Sequence, residues 1–339
     1  MNLQLDIPQV QKELVEGGSA YGYSTLDKAV ISELIELGVT MEPGAPIRLS
    51  IPALNDRPDP DLQEDWVFVM WETPALPPAF IERHKACDFI LVPCNENKRW
   101  FKNAGISCPI YVCHLAMDSD FTYRRRELNG EPLRFLWVGA FTARKQWRTA
   151  ARAFEYAFGN DPSAELYIKT SKVDDDGEIS RNGNMTLDTR KLTREELKEL
   201  YYTGHVFLHT CGLEGWGLTP LEAMATGALV ISPSWAGLKE FVNKKTAEVV
   251  NTVPVPVQVE EIVEASPYGR EAAVNIYETM VGKTDIGDLI RIMRKVCWNY
   301  PSTERKRKYA SDFAHNSFSW RKTAQRIVDL ITEKSRVLN

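Results

Sequence analysis

The sequence predicts an α/β protein of two domains built on mostly parallel strands. Three observations carry this. Short apolar runs alternate with helical stretches along most of the 339 residues, the pattern of βαβ units. The length suits two domains at roughly 100–200 residues each. A polar break over 122–132, containing Arg124-Arg125-Arg126, separates one alternation from a second.

In the first half, Gly17-Gly18-Ser19-Ala20-Tyr21-Gly22 leads into a helical pattern over 24–37, which Gly38 ends as a C′ residue. Residues 66–71, 89–92 and 110–113 read as buried strands, and 53–65 as a loop. Beyond the break, strands are expected at 134–138, 165–169, 205–209 and 229–232, with helices near 145–158, 193–202 and 220–226. The charged, Gly- and Asn-containing stretch 172–184 reads as a surface loop. The Pro- and Val-rich region 251–274 receives no element, and helices near 285–298 and 319–334 close the chain.

Composition narrows the function. A net charge of −5 gives no global attraction to nucleic acid or anionic lipid. The basic runs Lys98-Arg99, Arg124-Arg125-Arg126 and 305–308 read as solvated surface, with phosphate tracking as the alternative. The six cysteines form no Cys-x-x-Cys pair and no zinc spacing, so free thiols in a reducing cytoplasm are expected. The start, MNLQLDIPQVQKEL, lacks the basic and apolar regions of a secretion signal. No run of about 18 apolar residues occurs, so no transmembrane helix is expected. Asp174-Asp175-Asp176 reads as a solvated turn, and no acid-rich cluster suggests a metal.

Two segments carry chemistry. The first, VFLHTCGLEGWGLTPLEAMATGALVI over 206–231, reads strand, glycine-rich loop, short helix, strand. Gly215 and Gly217 free the backbone to approach a ligand. Thr219-Pro220-Leu221-Glu222 reads as a capping box with Pro at the first helical position. The helix start then offers unpaired N–H groups and partial positive charge, suited to a diphosphate. On the residues alone, Glu222 caps its own helix or binds a ligand, and Glu214 is an exposed loop acid or a ligand group. The second, FLWVGAFTARKQWRTAARAFEYAF over 135–158, runs from a strand into Gly139, a basic turn and a helix.

The run from Glu214 to Gly227, EGWGLTPLEAMATG, resembles the signature of retaining glycosyltransferase family 4, two glutamates flanking seven residues. The resemblance implies that Glu214 contacts hydroxyls of the transferred sugar and that Glu222 accepts from the ribose hydroxyls. It implies that the N–H groups from Gly217 through Leu218 to Thr219 hold the diphosphate, with Gly215 beside them in the donor site. In the second segment, Gly139 ends a similar strand and Lys145 matches a lysine that neutralises the leaving diphosphate. Ala140 stands where the family has arginine, leaving Arg144 or Arg148 to replace it. Gly18 matches a glycine-rich turn that faces the donor phosphate. Trp71-Glu72 stands where many relatives carry a histidine; Glu72 positions the acceptor hydroxyl or caps the segment before Pro74. Asp118 and Phe121 match a structural stretch, His114 is out of register for catalysis, and Phe318-Ser319-Trp320 is similar to a C-terminal Ser-Trp motif.

What the resemblance implies is a GT-B fold, two Rossmann-like domains with parallel sheets facing across a cleft. An acceptor-side domain would span 1–122 and a donor domain 133–305, with 306–339 crossing back to the first. The implied reaction moves a sugar from a nucleotide-sugar, such as a UDP- or GDP-sugar, to an acceptor hydroxyl with retention, without a metal or other cofactor. The acceptor would be a glycan, a lipid-linked glycan or a small molecule, with a hydroxymethylated DNA base as the alternative. An epimerase or a nucleotide-sugar binding module on the same fold is the other reading.

Overall fold

The computed structural model describes residues 4–6, 21–51, 63–170, 177–256 and 280–337. The chain divides into two units, Met1–Asp118 with Phe318–Asn339, and Ser119–Ser317. The sequence reading put these cuts at 122–133 and at 305/306.

In the first unit, β1 (Gln4–Leu5) precedes helix α1 (Tyr21–Glu36), which leads to β2 (Thr40–Met41), parallel to β1. Then β3 (Ile47–Ser50), β4 (Glu64–Phe68), β5 (Phe89–Val92) and β6 (Ile110–Val112) form a parallel sheet in sequence order. Helices α2 (Pro78–Lys85) and α3 (Asn95–Asn103) supply two of its crossovers. The strands read as near-continuous apolar runs because a parallel sheet is covered on both faces. β3 escaped the sequence reading because its run is broken by Arg48, which is buried.

The second unit holds β7 (Leu133–Val138), helix α4 (Trp147–Phe158), β8 (Ala164–Lys169), β9 (Ile179–Asn182), β10 (Met185–Asp188), α5 (Arg194–Thr203), β11 (Val206–Leu208), α6 (Leu218–Ala225), β12 (Leu229–Pro233) and β13 (Glu248–Val250). These strands form one sheet in the order β13-β12-β11-β7-β8-β10-β9. All neighbours are parallel except β9 and β10. The expected surface loop at 172–184 therefore contains a strand. β9 is exposed throughout, turns at Gly183 with φ of 59°, and returns as β10 beside β8. β14 (Thr252–Pro256) and β15 (Met280–Thr284) pair antiparallel where no element was assigned.

The chain leaves β7 toward β8 on one side and returns as β11 on the other. This is a topological switch point, and open α/β sheets bind ligands at the carboxyl ends of strands there. Both motif segments continue from these two strands.

Three helices, not two, close the chain: α7 (Ile286–Asn299), α8 (Glu304–Ser317) and α9 (Trp320–Val337). α8 buries Arg307, Ala310, Ser311 and Ala314, a face with almost no hydrophobic contrast to read from the sequence. Between α8 and α9 the chain passes from the second unit to the first. There α9 packs on α1, and the Trp320 indole donates to Asp118 at 3.0 Å.

Candidate active site

The loops after β7 and β11 are locked to one another. β7 runs into Gly139, where a Cβ would lie 2.9 Å from the Trp137 ring. A 3₁₀ turn, Ala143–Lys145, follows, and Gln146 then takes the left-handed conformation at φ 51° and ψ 38° before α4 starts. The Thr210 hydroxyl, just past β11, lies 3.1 Å from the Lys145 carbonyl and 3.0 Å from that of Gln146. The expected helix start at 145 is thus split by this left-handed residue, which turns the two basic side chains toward the second loop.

They converge on Glu214. Lys145 Nζ lies 2.5 Å from Glu214 Oε2, and Arg144 lies 3.8 Å from Oε1 while donating to the Leu213 carbonyl at 2.6 Å. His209 Nε2 stands 3.5 Å from Glu214 Oε2. Burial pushes the Glu214 carboxyl upward, but Lys145, then His209 and Arg144, outweigh it and hold the group well below the usual carboxylate range. Burial lowers His209, which therefore stays neutral, and raises the Cys211 thiol to about 11. Glu214 is thus an ionised acceptor in a protected setting rather than an exposed loop acid.

Glycines fix the loop that carries it. A Cβ on Gly212 would fall 1.6 Å from the Gly282 carbonyl of β15, and one on Gly237 would fall 2.3 Å from the Gly215 carbonyl. The Gly237 N–H donates to the Glu214 carbonyl at 3.1 Å. The backbone of 211–217 is therefore pressed between β15 and the turn after β12, and only glycine fits at these contacts.

The capping box does not form. α6 starts at Leu218, its N-cap is Gly217 at φ 106°, and no side chain caps it. Thr219 and Pro220 are already inside the helix, so Glu222 lies too far along to reach its start. Instead Tyr201 donates to Glu222 Oε2 at 2.7 Å and Arg194 meets Oε1 at 2.9 Å. Tyr201 and Arg194 are seven residues apart on α5, about two turns, and so share a face. The first N–H groups of α6, at Leu218 and Thr219, have no intrahelical acceptor by helix geometry.

Of the residues expected at a site, Gly139, Arg144 and Lys145 lie on the loop after β7, Glu214, Gly215 and Gly217 on the loop after β11, and Leu218, Thr219 and, one turn on, Glu222 on α6, all in the second unit. Arg148 goes elsewhere: its guanidinium lies over the Trp147 ring at 4.5 Å, and Trp147 stacks on Phe141 at 4.4 Å. Glu72 belongs to the first unit, half-buried in the bend after β4. Gly18 and the Asp174-Asp175-Asp176 triplet lie outside the described residues. Sequence reasoning missed His209, Cys211, Arg194 and Tyr201. The first two carried a visible signal, the spacing His-x-Cys-x-x-Glu. Among the described residues, His209, Cys211 and Glu214 form the group able to offer a metal three ligands, their donor atoms lying within 4.8 Å of one another.

The basic runs are largely spent within the fold. Arg99 pairs with Glu96, Arg124 with Glu199, Lys306 with Glu248 and Lys308 with Asp312. Arg126 is buried and donates to the Thr226 carbonyl at 2.6 Å, and Arg307 pairs with Glu304. No helix among the described residues is long and apolar enough to cross a membrane.

Residues 132–266 match the family described as "Glycosyl transferases group 1". Solved structures share the fold over nearly the whole chain at low identity. Anabaena HepE, solved in complex with UDP and glucose, aligns with a TM-score of 0.64 at 9% identity, covering 98% of this chain and 100% of that one. Sucrose-phosphate synthase from Thermosynechococcus elongatus aligns at 0.62 with 14% identity, covering 93% and 79%. WaaG, a glycosyltransferase involved in lipopolysaccharide biosynthesis, aligns at 0.60 with 12% identity, covering 97% and 100%. No curated protein matches the chain. The fold is GT-B, as the motif resemblance implied.

Proposed function

We infer that this chain, a glycosyltransferase by its matched domain and its GT-B fold, moves a sugar from a nucleoside-diphosphate sugar to an acceptor hydroxyl with retention at the anomeric carbon. The observation that carries the reading is the convergence of Lys145 and Arg144 on Glu214 at the switch point of the sheet. Two cations held against the loop that leads into α6 suit a leaving diphosphate, and an ionised carboxylate suits the vicinal hydroxyls of a sugar. Without donor, Lys145 and Glu214 neutralise each other. With donor, the diphosphate takes over Lys145 and Arg144, and Glu214 turns its lone pairs to the sugar.

Arg144 is the replacement for the family's arginine in this reading, since Arg148 rests on Trp147. Two fixed cations supply the electrostatic work for which other transferases use a metal, so turnover needs none. Retention is supported by the pair of glutamates flanking seven residues. The pairing of the basic runs favours a glycan, lipid-linked glycan or small-molecule acceptor over DNA. A reducing, cytoplasmic setting belongs to this reading on the cysteine spacing of the sequence.

The test is a panel of UDP- and GDP-sugars with and without candidate acceptors, in the presence of EDTA, reading nucleotide diphosphate release. The anomeric coupling of the product is read by NMR. Acceptor-dependent release and a retained anomer are expected. Donor isomerisation without acceptor would make the chain an epimerase, and binding without turnover across the panel would make it a binding module.

A further inference from the structure

We propose that His209, Cys211 and Glu214 form an inhibitory site for a thiophilic divalent cation such as Zn²⁺. The inhibition rests on the transfer reading above; the binding does not. The three side chains come from one six-residue stretch, and their donor atoms lie within 4.8 Å of one another. His209 Nε2 and Glu214 Oε2 are 3.5 Å apart, which is the spacing of two ligands on a tetrahedral ion with bonds of about 2.0–2.2 Å.

A further observation points to a ligand. His209 Nε2 is buried and has no hydrogen-bond partner, although the ring is aimed at Glu214. The Cys211 thiol donates to the Leu213 carbonyl at 3.0 Å and lies 3.9 Å from the Arg144 guanidinium. A nitrogen, sulfur and oxygen set suits Zn²⁺ and leaves its fourth position to water, whereas Mg²⁺ wants oxygen alone.

The site is preformed because Gly212 is held against Gly282, so binding needs side-chain exchange rather than movement of the loop. The side chains of Glu214 and Lys145 keep 11% and 15% exposure, which gives the cation a way in. On binding, the Cys211 thiol releases its proton to solvent and a sulfur–metal bond forms. Glu214 exchanges the Lys145 ammonium for the metal, and Lys145 swings out with its proton. No electrons move. Glu214 is then unavailable to the sugar, and transfer stops.

Metal-free protein titrated with Co²⁺ should develop tetrahedral visible bands and a near-ultraviolet thiolate charge-transfer band, both displaced by Zn²⁺. Cys211→Ser, checked for its fold by circular dichroism, should lose the charge-transfer band and raise the Co²⁺ Kd at least about tenfold. Lys145→Met should lower that Kd, because the competing ammonium is gone; this keeps the proposal testable if the cysteine variant misfolds. Zn²⁺ should inhibit nucleotide diphosphate release reversibly with EDTA, and at least about tenfold more weakly in Cys211→Ser relative to its own zinc-free rate. Absence of the charge-transfer band, its persistence in Cys211→Ser, equal zinc sensitivity of the two proteins, or an unchanged or raised Kd in Lys145→Met would each overturn the proposal. A parent protein that releases no nucleotide from any donor defeats the transfer reading alone, while the cobalt spectrum still decides the site.

Discussion

The Tyr201 hydroxyl donates to one oxygen of Glu222 at 2.7 Å while Arg194 holds the other at 2.9 Å, so α5 fixes this carboxylate from behind. Glu222 is 2% exposed, and its loss leaves two polar groups facing an apolar space. Glu222→Ala should cost about 3 kcal/mol, the low end for breaking a buried pair, because Arg194 keeps 24% exposure. A capping glutamate would cost only about 0.5–2 kcal/mol. Tyr201→Phe should cost about 1–3 kcal/mol and Glu222→Gln less than Glu222→Ala. Urea unfolding followed by tryptophan fluorescence measures all three. The ribose role is tested separately: the parent should bind UDP more tightly than its 2′,3′-dideoxy analogue, and Glu222→Gln should not distinguish them. Equal discrimination by both proteins removes Glu222 from the ribose.

Lys145 sets the acid limit of the reaction. Burial drives the Glu214 carboxyl upward, and Lys145 is the largest influence opposing it. A carboxyl held low keeps its ionised contacts above its unfolded value and loses them only as the pH falls through the folded one. The parent should therefore hold its activity down through the usual carboxylate range, about pH 4–5. In Lys145→Met, burial is opposed chiefly by His209 and Arg144, so the acid limb of kcat/KM should move to higher pH. Turnover should also fall about 10²–10³-fold, with a smaller change in UDP affinity. Superimposable pH profiles would show that the pairing does not govern Glu214.

Arg144 and Arg148 should separate cleanly. Arg144 reaches Leu213, Cys211 and Glu214, whereas Arg148 covers Trp147. A charge-assisted bond contributes about 1.5–3 kcal/mol, so Arg144→Ala should lower kcat/KM about 10–100-fold. Arg148→Ala should stay within about threefold of the parent, a change under 1 kcal/mol. The reverse ranking would transfer the diphosphate role to Arg148.

What could be read beforehand follows from where the information lies. The run from Glu214 to Gly227 was legible because its spacing is written along one loop and one helix. The choice between Arg144 and Arg148 was not, since it depends on Gln146, a non-glycine residue in the left-handed conformation that tertiary contacts impose. Gly217 at φ 106° opens α6 ahead of the residues that looked like its cap, and nothing local distinguishes the two starts. The Glu222 partners, Tyr201 and Arg194, lie 21 and 28 residues upstream on α5, and only the packed sheet brings them near. Strand β9 was hidden inside a polar stretch because its pairing with β10, itself held beside β8, and not its own composition makes it a strand.

One histidine in each unit should govern the acid stability of the fold. His84 is fully buried against Phe80, with ring centroids 4.0 Å apart, and burial lowers it to about 4. His205 accepts the Arg134 N–H at 3.1 Å, and burial, then Arg126 and Arg134, lower it to about 4 as well. In the unfolded chain both protonate near the ordinary 6.5. Between about pH 6.5 and 4 the unfolded state therefore binds more protons than the folded one. Stability is full above this window, falls as the pH drops through it, and levels off below. Each histidine should account for about 3 kcal/mol across the window. Calorimetric unfolding of the parent, His84→Gln and His205→Gln over this range measures it. Each variant should be less stable than the parent near neutral pH, with a shallower decline toward acid. Variants that decline as steeply as the parent would mean that other groups control the acid response.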